Sequence, residues 1–361
     1  MRVGIDATHS VEPRTVGIAR FVTHLLRELR RSVPPERLYL YFRPRALRHP
    51  ASLRRVVRSV GGRVLFEPLA RFAPLDVFHA TYQRLPRWAH AGYLGSLHDV
   101  YYATEGRDGA RRTAQRWQER YRDVVARSRL VLTLSEFSRA EIVGHLGAEP
   151  AKVRVVPLAA AESFRPRGVS ELAAAREAYG LEGPYVLFVG GFARRKNLPG
   201  ALRTFALALP RIPADVLLAV AGGGRHGEEP RRLVRELGLD KRVRFLGYVP
   251  ETDYPALVAG ALFLFFPSRF EGFGLPPLEA MASGTPVLAS STTAVPEVTG
   301  DAAFLVDPDD EASMARAFVE LATDARLRSE LVARGLLRAR SFSWKRVGRQ
   351  VLGLYEEIAR P

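Results

Sequence analysis

Short unbroken apolar runs recur along this chain. After each comes a longer stretch in which apolar positions return every three or four residues. Runs rich in Val, Ile, Leu and Phe mark strands buried on both faces of a parallel sheet, and the intervening pattern marks helices packed on that sheet. In the first half, strands are predicted at Val3–Asp6, Leu38–Phe42, Val64–Phe66, Val77–His79, Tyr93–Leu97, Leu130–Leu134 and Val153–Val156. In the second half they are predicted at Tyr185–Val189, Val216–Val220, Val243–Leu246, Leu262–Phe266, Val287–Ala289 and Ala303–Val306. Ser138-Arg139-Ala140-Glu141 reads as a capping box opening a short helix that Gly147 closes. From Ser343 onwards the chain reads as one amphipathic helix.

Alternation of this kind is the pattern of α/β units, and 361 residues suit two domains. The expected fold class is α/β with two doubly wound Rossmann-like halves, their strand ends facing each other across a cleft. Pro157–Gly183 reads as the hinge. The domains are expected at 1–165, 166–342 and, for the terminal helix, 343–361. The longest apolar runs fall short of the roughly 18–20 residues of a membrane span. Met1 leads directly into a strand in place of a secretory signal. Zero cysteines exclude disulfides and thiol chemistry, and a cytoplasmic protein is expected.

A net charge of +16 adds a second theme. Only four basic residues are Lys, a skew that matches codon bias. The charge is uneven: residues 27–63 hold eleven Arg against two Glu, and residues 107–129 hold eight Arg against three acids. Solvated helix faces account for such clusters. So does a surface that meets anionic lipid, at the inner face of a membrane, or a polyanionic acceptor. No nucleic-acid-binding module is legible, so nucleic acid is not expected as a partner.

The richest chemistry lies in Phe265–Val287. A strand ends there, a glycine-rich turn follows, and a helix opens at Pro276-Pro277 and stops at Gly284. Glu271 sits at the strand end and Glu279 about one turn into the helix. The backbone N–H groups between them, at the positive end of the helix, form a seat for an anion. Carboxylates flanking a phosphate seat suit a ligand with hydroxyls on both sides of a phosphate, as in a nucleotide sugar.

Gly190-Gly191-Phe192-Ala193-Arg194-Arg195-Lys196-Asn197 also follows a strand, and its cations can neutralise a diphosphate, although a basic helix start explains it too. Its spacing is not that of a P-loop. Gly222-Gly223-Gly224 serves a tight turn as readily as a nucleotide. Phe245–Pro250, with Val249, has backbone that can face a flat base. In the first half, Gly17-Ile18-Ala19-Arg20-Phe21 opens a helix, and Gly17 leaves room for phosphate or sugar, or simply starts that helix. His98 ends a strand, where it can bond a sugar hydroxyl, shuttle a proton, or pair structurally with Asp99. Asp307-Pro308-Asp309-Asp310 looks like a metal cluster but reads better as a helix N-cap. No HExxH, EF-hand or G-x-S-x-G spacing occurs.

Together these motifs resemble glycosyltransferase family 4, retaining enzymes of the two-domain GT-B fold, over essentially the whole chain. The resemblance is most specific at Glu271-(seven residues)-Glu279, with Gly272-Phe273-Gly274 inside and Ala280–Val287 after it. It extends to Arg195-Lys196-Asn197, Leu132–Ser138 and Val155–Leu158. The first-half motifs Gly4-Ile5-Asp6, Gly17–Phe21 and Leu97-His98-Asp99 are most similar to the mannosyltransferase branch of bacterial polysaccharide assembly. Ala19 departs from that branch, which carries Gly there.

The resemblance implies that Arg195 and Lys196 hold the donor diphosphate, that Glu279 accepts from ribose hydroxyls and that Glu271 contacts the donor sugar. It implies further that the amides of Gly272, Phe273, Gly274 and Leu275 line sugar and phosphate, that His98 touches the sugar and that Gly17 leaves space for phosphate. It implies no cofactor or metal beyond the donor as co-substrate, with GDP-mannose favoured. It also implies a glycan or lipid-linked acceptor in polysaccharide or cell-envelope biosynthesis. Two other readings compete: a sugar-nucleotide epimerase on the same scaffold and a non-enzymatic polyanion-binding protein.

Overall fold

Every run read as a strand forms one in the computed structural model, which describes residues 1–12, 16–67, 69–88, 92–105, 111–223 and 227–360. The first unit holds seven strands: β1 (Val3–Asp6), β2 (Leu38–Phe42), β3 (Arg63–Phe66), β4 (Val77–Ala80), β5 (Gly92–Ser96), β6 (Leu130–Thr133) and β7 (Val153–Val155). All pair in parallel, in the order β3-β2-β1-β4-β5-β6-β7. The second unit holds β8 (Tyr185–Val189), β9 (Leu217–Ala221), β10 (Val243–Gly247), β11 (Phe263–Phe266), β12 (Val287–Ser290) and β13 (Phe304–Val306). These are also parallel, in the order β10-β9-β8-β11-β12-β13.

Both orders reverse direction once, between β1 and β4 in the first sheet and between β8 and β11 in the second. Loops leaving the carboxyl ends of the flanking strands diverge at such a reversal and open a crevice. Helices cover both faces, which is why the strands are apolar on both sides. In the second unit Phe188, Phe205, Phe263, Phe265 and Phe318 form a continuous core with Leu and Val of the neighbouring elements.

The division between the units lies at Leu158/Ala159, earlier than the expected 165/166. Residues just after Leu158 pack forward: the Phe164 ring meets Tyr254 edge-on at 5.5 Å, and Arg167 pairs with Glu171 at 2.6 Å. The terminal helix Trp344–Ala359 belongs to the first unit. Trp344 stacks on His24 at 4.6 Å, and the Tyr355 hydroxyl reaches His79 Nδ1 at 2.7 Å.

One helix start differs from expectation. Ser138 does not open its helix, which runs Glu136–Leu146 with Ser135 as N-cap. Ser135 is the last extended residue, and its Oγ accepts the Ser138 N–H at 3.0 Å. Gly147, left-handed at φ 68°, closes the helix as expected.

Candidate functional site

The reversal in the second sheet is where its charged loops meet. Arg195 and Lys196 follow β8 in the single turn Arg194–Lys196, and Glu271 follows β11. Lys196 Nζ bonds Glu271 Oε1 at 2.6 Å, and Arg195 reaches Oε2 at 3.2 Å and the Phe270 carbonyl at 3.2 Å. Nζ also lies 5.0 Å over the Phe266 ring. Burial raises the Glu271 pKa, but Lys196 and Arg195, with a hydrogen bond from Ser268, outweigh it and hold the carboxyl below its ordinary value. Two cations thus converge on one carboxylate at a crevice suited to anions.

Two residues to which the sequence assigns no role, Asn197 of the basic motif and Thr293, shape this cluster. Asn197 is fully buried and left-handed (φ 57°, ψ 39°), and its Nδ2 bonds the Pro308 carbonyl at 2.8 Å, tying the basic turn to the end of β13. Thr293 sits at φ 59°, a conformation that a β-branched side chain adopts at a cost, and its Oγ1 accepts the Glu271 N–H at 3.2 Å. Asn is among the few residues other than glycine that favour the left-handed state, whereas nothing about Thr293 as a residue type signals it.

The helix after Glu271 runs Leu275–Ala282, capped by Gly274 at φ 110°. Pro276 and Pro277 carry no N–H, so the anion seat reduces to the amides of the Gly272–Leu275 turn. Phe273 is 5% exposed and turns its ring onto Phe342 at 6.1 Å, leaving only its main chain for a ligand. Glu279, 1% exposed, lies inside the helix as its spacing predicts. Gly284 follows the helix at φ 72°.

Three further loops of this sheet converge. Gly190 N–H bonds the Ala221 carbonyl, and Gly222 N–H bonds the Gly247 carbonyl at 2.7 Å. Gly222 is required twice over: φ is 113°, and a Cβ would strike the Gly190 carbonyl. Gly224 lies outside the described residues. Val249 follows at the end of β10, half-buried beside the exposed Tyr248.

In the first unit, Phe21 from the helix Val16–Leu29 meets the His98 ring edge-on at 5.1 Å, so the two first-half motifs share one place. Gly17 is exposed, and a Cβ there would meet no described atom within 4 Å. Asp99 is taken up by the main chain, accepting the Tyr101 N–H at 3.1 Å. Burial, then the charge of His9, lowers the His98 pKa to about 4 against a hydrogen bond with the Thr81 main chain. The imidazole is therefore neutral at pH 7.

Asp310 caps the helix Glu311–Thr323 by accepting the Ser313 N–H, and Asp309 pairs with Arg269 at 2.6 Å. This is the N-cap reading of the acidic run.

Residues 172–337 match the family described as Glycosyl transferases group 1. The O-antigen chain mannosyltransferase B of Escherichia coli is 35% identical over 232 residues, covering 63% of this chain and 61% of that protein. A D-inositol 3-phosphate glycosyltransferase of Corynebacterium efficiens is 32% identical over 286 residues, covering 76% of this chain and 66% of that protein. The chain thus spans about three fifths to two thirds of these relatives' length. Among solved structures, Anabaena HepE in complex with UDP and glucose superposes with a TM-score of 0.78 at 17% identity, over 99% of this chain and 100% of that one. WaaG, a glycosyltransferase involved in lipopolysaccharide biosynthesis, superposes with a TM-score of 0.71 at 18% identity, over 98% and 99%. The fold is GT-B.

Proposed function

Because the chain belongs to the glycosyl transferases group 1 family through residues 172–337, we propose that it is a retaining hexosyltransferase of glycosyltransferase family 4. Its donor is a nucleotide-diphosphate sugar, with GDP-mannose favoured, and its acceptor is a glycan or lipid-linked sugar in polysaccharide or cell-envelope assembly at the cytoplasmic face. The Lys196–Glu271–Arg195 cluster at the β8/β11 reversal carries this reading. The similarity to O-antigen chain mannosyltransferase B supports mannose. No described helix is long and apolar enough to cross a membrane.

In this reading the diphosphate enters beside Arg195 and Lys196, against the Gly272–Leu275 amides, and Glu271 partly exchanges its ion pairs for hydroxyls of the donor sugar. Glu279 accepts from the ribose. The glycosidic C–O bond breaks towards an oxocarbenium-like centre while charge grows on the leaving diphosphate. Arg195 and Lys196 bind that developing charge more strongly than the ground state, and the barrier falls. The acceptor oxygen bonds to the anomeric carbon from the face the diphosphate leaves, and the departing phosphate oxygen takes its proton, giving retention. Neutral His98 offers a ring nitrogen to a sugar hydroxyl. The chemistry requires no cofactor or metal.

Thermal stabilisation by GDP, UDP, ADP, TDP and GDP-mannose tests this. A shift selective for one nucleotide is expected, since ligand binding raises stability by mass action, and selectivity for GDP would support the mannosyl donor. A protein stabilised by none of them, yet by soluble polyanions in a salt-steep manner, would be a polyanion-binding protein. Donor isomerisation without acceptor would point to an epimerase.

A further inference from the structure

Four large apolar side chains stand in solvent at one edge of the first sheet: Leu47 (58% exposed), Val64 (38%), Leu69 (69%) and Phe72 (70%). β2 and β3 pair in parallel with Phe42 opposite Phe66. The single turns after them, Pro44–Arg48 and Leu69–Phe72, therefore emerge side by side at the carboxyl end of the sheet. Scattered exposed leucines mean nothing, but grouped ones at adjacent turns mark a contact surface.

The charge around them is one-sided. Residues 43–72 hold eight Arg and one acid, Glu67, which hydrogen-bonds the Tyr41 hydroxyl. Arg43 pairs with Asp6 and Arg45 with Glu12. Arg63 donates to the Tyr39 hydroxyl. Arg48, Arg54, Arg55, Arg58 and Arg71 are all exposed, and none pairs with an acid among the described residues. Arg54, Arg55 and Arg58 ride on the helix Pro50–Val60 between the two strands. The Arg71 guanidinium lies 4.7 Å over the Phe72 ring, an apolar body carrying a cationic head.

We propose that this edge docks the protein on an anionic bilayer surface, with Leu47, Leu69 and Phe72 entering the headgroup boundary and the unpaired arginines holding lipid phosphates. A second copy of the chain would bring the same arginines face to face, and a soluble polyanion would leave the leucines and Phe72 in water. A bilayer satisfies both halves of the surface. The docking edge lies at the same end of the first sheet as Gly17 and His98. This inference rests on the transferase reading with a lipid-linked acceptor, which such docking would present to that end.

Sedimentation of the full chain with phosphatidylcholine vesicles, with and without phosphatidylglycerol, tests it. Binding to the mixture alone is expected, weakening as salt rises. Leu69→Ser/Phe72→Ser and Arg54→Ser/Arg55→Ser/Arg58→Ser should each lower the partition coefficient at least about tenfold with Tm unchanged. The Leu69→Ser/Phe72→Ser variant sedimenting like the parent protein would overturn the proposal. So would a parent dimer in sedimentation velocity that this variant abolishes. Nucleotide binding measured calorimetrically on the same preparation separates the two readings. A parent protein that binds nucleotide but not the vesicles overturns the docking surface alone, whereas one that binds the vesicles but no nucleotide overturns the transferase reading alone.

Discussion

Lys196 and Arg195 hold the Glu271 carboxyl below its ordinary pKa although burial pushes it up, and the three form a unit poised to receive an anion. Lys196→Ala should lower kcat/KM about a hundredfold or more, as loss of an electrostatic contact to developing charge does elsewhere. Unchanged kcat/KM would remove Lys196 from the diphosphate. The same unit controls acid stability. The folded pKa of Glu271 lies below 4.5, so its contribution is complete above that value and is lost as pH falls through the lower folded one. Glu271→Gln should flatten this part of the acid limb of urea midpoint against pH, and an identical limb would show that the ion pairs contribute nothing. Each of these three residue types was legible in the sequence, but their pairing was not, because 75 residues separate Lys196 from Glu271. Thr293 escaped notice altogether, since its role depends on a positive φ that no β-branched residue advertises.

At the scale of elements, the terminal helix is held by a buried polar chain. The Tyr355 hydroxyl is hydrogen-bonded to His79 Nδ1 at 2.7 Å, and His79 Nε2 to Ser96 Oγ at 2.8 Å. Tyr355→Phe leaves that nitrogen buried without its partner and should cost about 1–3 kcal/mol in denaturant unfolding. A variant as stable as the parent would mean that apolar packing, such as Ile358 against Gly92, holds the helix alone. Burial lowers the His79 pKa to about 3, with a smaller contribution from His98, itself at about 4. The unfolded chain takes up these protons near pH 6.5 and the folded chain does not, so stability should fall on acidification from about pH 6.5 to 4. His98→Asn should reduce that slope, and an unaltered slope would place its cause elsewhere. The helix itself was plain from its amphipathic pattern; its seat was not, since a histidine and a tyrosine 276 residues apart show no periodic relation.

Over the whole molecule, the positive charge does not identify a single site, because its arginines are divided between ion pairs, main-chain contacts and solvent. Hydrogen exchange distinguishes the uses. On adding the stabilising nucleotide, protection should rise in Gly190–Asn197 and Glu271–Glu279; a rise confined to residues 27–63 would favour a polyanion reading. Hydrophobic periodicity by itself determined the thirteen strands and the α/β class, because a strand buried on both faces is mainly apolar and admits polar residues such as His79 and Ser96 only with hydrogen-bond partners. Local chemistry determined the candidate cations and carboxylates, because glycine, proline and charge act within a few residues of the turn they shape. Only tertiary structure decided the strand orders, the two reversals and the partners of each charge. Those depend on which distant segments share one core, and packing and Coulomb energy are functions of distance in space, which the order of residues along the chain does not contain.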